Sequence, residues 1–262
     1  MNESRKLPVG IHDFEKLRNE NYLYVDKTPF LYRMVTSGCC YFLSRPRFFG
    51  KTLFLSTLEA YFRGRRDLFE GLAIMALEDE WQEYTVLTLD FSTNVYTAEG
   101  SLENVLNTFL TEQEERYGRH EERRSYSSRF EYIIRRASET SGKPVVVLID
   151  NYDKPVLDAL FTPEETHNRD VLRDFYSALN GNDYYLKFVF MTGISKFASV
   201  NIFNGSNQFK DISAHRDFGG ICGFTADEVA EHFQTEIEVL AADLDMAPQT
   251  AAEKLAEAYR ES

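Results

Sequence analysis

No apolar run in the 262-residue sequence approaches the roughly 20 residues that cross a bilayer; Val145–Ile149, for instance, is broken off by Asp150. No transmembrane helix is expected. Met1–Asn21 carries charges throughout and lacks the apolar stretch of a signal peptide, so nothing there directs export, and a cytoplasmic protein is expected. Cysteine is scarce. Cys39, Cys40 and Cys222 are odd in number and show no CxxC spacing, which argues against a disulfide framework or a zinc site and for buried, reduced thiols. His12, His120, His167, His215 and His232 are scattered without metal-ligand spacing. Positive charge is also in short supply: 29 basic against 42 acidic residues leave −13, which disfavours long-range attraction to DNA, RNA or an anionic membrane. The deficit is uneven. Residues 225–262 hold ten acidic and two basic residues, a net of −8, so the preceding 224 residues carry only −5.

What is present is a foldable chain, 43% hydrophobic and 14% aromatic, long enough for one to two domains. Strand-like and helix-like segments alternate, the pattern of a parallel sheet covered by helices. Cys40–Leu43, Thr85–Phe91, Pro144–Asp150 and Leu186–Met191 read as strands, and a fifth is expected near Gly220–Phe224. Pro144–Asp150 is β-branched without alternation, as in a strand buried on both faces. Helices are expected over Lys51–Arg63 and from Ser101. Others should open at the capping boxes Ser128–Glu131, Thr162–Glu165 and Thr225–Glu228 and stop, for the first two, at Gly142 and Gly181.

The stretch Ser44-Arg-Pro-Arg-Phe-Phe-Gly-Lys-Thr52 lies between the first strand and the first of these helices. Loop N–H groups and the helix dipole at such a junction hold phosphate, with Lys51 reaching the terminal phosphates and the Thr52 hydroxyl ligating Mg²⁺. The usual pattern places glycine six positions before the lysine, where this chain has Arg45. Taken alone, Gly50-Lys51-Thr52 also fits an ordinary strand-to-helix turn with a solvated lysine. Two further residues favour the phosphate reading. Asp150 ends the most apolar strand, where a carboxylate can order the Mg²⁺ shell, and Thr192 ends the next strand, where a hydroxyl can sense the γ-phosphate.

Several motifs in register carry a family resemblance. Leu7-Pro-Val-Gly-Ile11, Tyr24-Val-Asp-Lys-Thr28, Phe42–Arg47 with Gly50–Thr52, Leu148-Ile-Asp150 with Tyr152-Asp-Lys-Pro155, and Thr192-Gly-Ile-Ser-Lys-Phe197 resemble the bacterial AAA-ATPase-like family. The resemblance runs from about Leu7 to Phe233. It implies a three-layer P-loop NTPase fold of the additional-strand type, with a five-stranded parallel sheet in the order 5-1-4-3-2. It further implies ATP and Mg²⁺ as cofactors, residues 45–52 (Arg45, Pro46, Arg47, Phe48, Phe49, Gly50, Lys51, Thr52) as the phosphate loop, Asp150 as the Walker B aspartate sharing the metal with Thr52, and Thr192 as the first sensor.

Arg45 and Arg47 match the family's R-P-R-R-F-G-K-S form of the loop, but Phe48 stands where the family has arginine, which removes a positive charge beside the phosphates. Asn151 stands where the family's L-I-D-E-Y-D-K-P has the glutamate that polarises the attacking water. Loss of a general base lowers the rate roughly 10²- to 10⁴-fold, and Asp153 is the nearest substitute along the chain. A P-loop core over 1–224 and an acidic helical lid begun over 225–262 are expected, without the nuclease-like domain that follows the lid in many relatives. The expected activity is MgATP binding with weak or lost hydrolysis. The alternatives are a non-enzymatic module that binds an unidentified protein partner, or the N-terminal part of an ATPase–nuclease protein; nucleic acid binding by this chain alone is not expected.

Overall fold

The computed structural model describes residues 6–196 and 209–261; Phe197, which closes the Thr192 motif, lies outside them. Five parallel strands form one sheet: β1 (Cys40–Ser44), β2 (Val86–Asp90), β3 (Val145–Asp150), β4 (Leu186–Gly193) and β5 (Lys210–Asp211). Their order across the sheet is β2-β3-β4-β1-β5, the expected additional-strand order read from the other edge.

β3 occupies the interior of the sheet and is buried at every residue. Alternate side chains point to opposite faces. Val145, Val147 and Ile149 therefore enter one core, while Val146 and Leu148 enter the other. Each such burial stabilises the fold by roughly 1.5–3 kcal/mol relative to an exposed side chain. On the first face lie α4 (Ser101–Tyr117), α5 (Tyr126–Ser141) and α7 (Glu164–Ser177), through Leu106, Ile133 and Phe175. The short α6 (Lys154–Asp158) leads into α7 from the end of β3. The opposite face is covered by α1 (Phe14–Asn19), α2 (Thr28–Ser37) and α3 (Lys51–Phe62), through Phe14, Leu31 and Leu58. The three layers follow from β3 having no polar face to leave in water.

Past the sheet come α8 (Ala226–His232), α9 (Gln234–Asp243) and α10 (Pro248–Glu261), with a small core of Ile237, Ala241 and Ala251. The Thr225–Glu228 capping box opens α8 as expected, each side chain satisfying the other residue's N–H. Glu228 also reaches back to the sheet-bearing part: Lys27 Nζ, almost buried, donates to both carboxylate oxygens at 2.6 and 2.7 Å.

Four expectations need correction. The fifth strand is not near Gly220–Phe224 but at Lys210–Asp211, against Tyr41 and Phe42 of β1. Ile221 and Cys222 are buried in irregular chain after a 3₁₀ turn at Arg216–Phe218, so their apolar character marks burial rather than strand pairing. Helix α5 starts a turn early, capped by Ser125, because Asp174 of α7 holds Ser127 through its N–H and hydroxyl at 3.2 and 2.7 Å. The expected partner in that box, Glu131, binds Arg123 instead. Thr162 does not cap α7, since its hydroxyl donates to the Ala159 carbonyl at 2.7 Å; Pro163 sits at the cap, and the helix ends at Ser177 rather than Gly181. Finally, the thiols are free but not all buried. Cys222 is buried, whereas Cys40 is half-buried and Cys39, in the connection just ahead of β1, is exposed.

Candidate functional site

The carboxyl ends of β1, β3 and β4 bring the candidate residues together. β1 ends at Ser44, and residues 45–50 turn the chain into α3, whose first residue is Lys51. Two left-handed residues make the turn possible: Gly50 at φ 79°, which glycine adopts freely, and Phe48 at φ 65°, which a side chain resists. No side chain caps α3, so its first N–H groups remain open to an anion.

The Lys51 side chain is nearly buried, and its ammonium donates to the carbonyls of Arg45 at 2.9 Å and Pro46 at 2.7 Å. Burial lowers its pKa, opposed by the nearby Asp150 charge. Pro46, Arg47 and Phe48 are exposed at the loop tip, Phe48 to 94%, while Phe49 and Gly50 are half-buried. Arg45 behaves differently from a phosphate ligand. Its guanidinium donates to the carbonyls of Ser44, Ser213 and Phe218, tying the loop to the chain that follows β5.

Asp150 is 1% exposed and is the hub of the site. One carboxylate oxygen accepts the Thr52 hydroxyl at 2.6 Å; the other accepts the Thr192 hydroxyl and, at 2.9 Å, the Asn151 N–H. Residues separated by 98 and 42 positions in the chain thus meet on one carboxylate. Thr192 reaches it because β4 lies between β3 and β1. Burial raises the Asp150 pKa, the two hydroxyl bonds opposing it and the Asp90 charge adding to it. The donors gathered here, a carboxylate and two hydroxyls, are all hard oxygen atoms, a set that suits Mg²⁺.

Asn151 has left-handed backbone, φ 55°, which asparagine tolerates better than most residues. Its Nδ2 donates to Asp90 Oδ1 at 3.0 Å. Asp90 ends β2 in direct register with Asp150. Sequence reasoning missed it, although the run Leu89-Asp90 at the end of a strand repeats the Ile149-Asp150 pattern and could have marked it. Asp153 is turned elsewhere: 1% exposed, its carboxylate accepts the N–H groups of Ile194 and Ser195 at 3.0 and 2.6 Å, and so pins the chain leaving β4. Asp26 and Thr28 likewise hold backbone N–H groups of Ala73 and Ile74 rather than the loop.

Beside the loop opens a cavity of 580 Å³, mostly apolar, walled by residues 7–12, by Leu23–Val25 and Lys27, by Phe48–Gly50 with Leu53 and Phe54, and by Ile221–Phe224 with Phe233. A polar cleft of 770 Å³ lies at the other end of the sheet, near Arg63, Arg65 and Lys143, away from these residues.

The strand order, with a loop-to-helix turn after β1 and acidic and hydroxyl residues at the ends of β3 and β4, defines an α/β protein of the P-loop NTPase-like class. More narrowly, the chain belongs to the AAA-ATPase-like family: the model of that family, described as "Predicted AAA-ATPase", matches residues 8–203. A relative from Azotobacter chroococcum mcd 1, described as an uncharacterized protein in the vnfD 5′ region, is 40% identical over 241 residues. The match covers 91% of this chain and 47% of the relative, so the chain spans about half of that protein's length. No solved structure matches. Among the described residues, no helix is long and apolar enough to cross a membrane.

Proposed function

We propose that this protein binds MgATP at the carboxyl end of the sheet and hydrolyses it slowly. The observation that carries the reading is the contact between Thr52 and Asp150, which pairs the hydroxyl of the phosphate loop with a buried carboxylate two strands away across the sheet. Thr52 and Asp150 would hold Mg²⁺, which, when bound, offsets phosphate charge. Lys51 would exchange its two loop carbonyls for phosphate oxygens, a trade favoured because an ammonium–phosphate bond is charge-assisted at both ends. Exposed Arg47 adds a second positive charge, and the uncapped N–H groups of α3 complete the anion site. The adjoining apolar cavity is suited to the adenosine half. Phe48 in place of the family's arginine weakens affinity. Hydrolysis is slow because the Asn151 amide can orient water but cannot take its proton.

Titration of the full chain with a fluorescent ATP analogue, with Mg²⁺ and with EDTA, tests the reading. Binding should need Mg²⁺ and should weaken at least tenfold in Lys51→Ala, since a hydrogen bond to a charged group is worth about 1.5–3 kcal/mol. Absence of Mg²⁺-dependent binding, or unchanged affinity in Lys51→Ala, refutes it.

A further inference from the structure

Hydrolysis at this site needs a carboxylate with room for a water, and the carboxylates at the strand ends can be taken in turn. Asp150 already accepts three hydrogen bonds, is almost fully buried, and belongs to the metal. Asp153 is turned to the N–H groups of Ile194 and Ser195 and, at 1% exposed, is closed to solvent water. Asp90 remains. It ends the edge strand β2, level with Asp150, and is half-buried, so solvent reaches it.

Its surroundings fix its orientation. Oδ1 accepts the Ser92 N–H at 2.8 Å and the Asn151 amide at 3.0 Å, and Oδ2 accepts the Ser92 hydroxyl. A carboxylate offers about four lone-pair sites, so one stays open for a water. A glutamate at 151 would set a second negative charge against Asp90, whereas the asparagine amide supplies a donor. Asn151 and Asp90 thus form a complementary pair, with the acid displaced by one strand spacing, about 4.8 Å.

We propose that Asp90 is the catalytic carboxylate of this protein, positioned by Asn151 and Ser92 in place of the family's glutamate. The Asp90 carboxylate takes a proton from a water as the water oxygen bonds to the terminal phosphorus. The bond from that phosphorus to the β–γ bridging oxygen breaks, and its electron pair leaves with ADP. The proposal rests on the MgATP reading above and deepens it.

The test uses the full chain and three measurements: Mg²⁺-dependent affinity for the fluorescent ATP analogue, phosphate release, and the ATP-to-ADP ratio recovered from the bound fraction. Asp90→Asn should keep affinity within about threefold, lower phosphate release about 100-fold or more, and leave the bound nucleotide as ATP. Asn151→Ala removes a donor that aims Asp90, so phosphate release should fall about tenfold or more while affinity stays within about threefold. The exchange D90N/N151E, which returns the acid to β3, should recover phosphate release relative to Asp90→Asn alone. If the unsubstituted chain shows no Mg²⁺-dependent binding, the nucleotide reading itself fails. If it binds but releases no phosphate, or if Asp90→Asn releases phosphate at an unchanged rate, binding stands and the role of Asp90 is overturned. Should Asp90→Asn fail to fold, unchanged phosphate release in Asn151→Ala overturns it equally.

Discussion

Gly193, the residue after Thr192 at the end of β4, is where packing and site geometry are most tightly joined. A Cβ added there would lie 2.5 Å from Cδ1 of Tyr152 and 2.6 Å from Oδ1 of Asp153, and closer still to Cε1 of the ring. Carbon atoms rest about 3.5–4.0 Å apart, so ring or strand must retreat by about 1 Å. Neither is free to do so. Tyr152 is fully buried, its ring set edge-on to Phe42 with centroids 5.1 Å apart, and its N–H bonds the Thr192 carbonyl at 3.0 Å. Overpacking of this kind costs about 1–3 kcal/mol. Disturbing the bonds that Asp153 makes to Ile194 and Ser195 adds about 1–2 kcal/mol. With roughly 2–4 °C of melting temperature per kcal/mol for a chain of this size, Gly193→Ala should melt about 5–15 °C lower. Gly50→Ala is the control: nothing lies within 4 Å of its added Cβ, so only the left-handed backbone at φ +79° opposes it, a cost of about 1 kcal/mol. Thermal melts followed by circular dichroism, without nucleotide, decide the matter. A Gly193→Ala melting temperature within about 1 °C of the parent, or no lower than that of Gly50→Ala, refutes the reasoning.

Three other outcomes are expected. Asp150→Asn should abolish Mg²⁺-dependent nucleotide binding yet melt no lower than the parent at neutral pH in EDTA. Burial raises the Asp150 pKa, so the stability tied to its protonated form is complete below the usual carboxylate range and is lost as pH rises through the raised value; the advantage of Asn should therefore shrink on acidification, as melts across pH will show. Glu228→Gln should melt lower than the parent at pH 7, because Lys27 loses its anionic partner. Burial acts to raise the Glu228 pKa, but the bonds from Lys27 and Thr225 outweigh it and hold the value low. The stability it contributes is therefore present above the usual carboxylate pKa and disappears as pH falls through the lowered one, and the two proteins should converge in acid. Thr192→Val should keep the fold, being similar in shape, but remove one of the two hydroxyl bonds opposing the rise in the Asp150 pKa, and weaken Mg²⁺-dependent analogue binding measured near pH 6 more than near pH 8.

Strands β1 to β4, the helix after Gly50 and the sheet-end position of Asp150 were legible in the sequence because each rests on local pattern: an apolar run, a turn residue, a helix start. Two helix starts were misplaced for the opposite reason, since Ser127 answers to Asp174 on another helix and Thr162 to a carbonyl of the preceding turn. The fifth strand was misplaced because apolar residues at 221 and 222 look alike in sequence whether they pair with a strand or merely fill a core.

By itself, the sequence determined the alternation of elements, the Gly50-Lys51-Thr52 junction, and the two departures at Phe48 and Asn151. Only the tertiary structure decided which groups each carboxylate meets. Strand order places Asp150 between Thr192 on one side and Asp90 on the other, commits Asp153 to the backbone after β4, and turns the Asn151 amide onto Asp90. Propensity and periodicity act between residues a few positions apart, whereas these contacts join positions 41 to 61 apart and exist only because parallel strands bring their carboxyl ends to one edge.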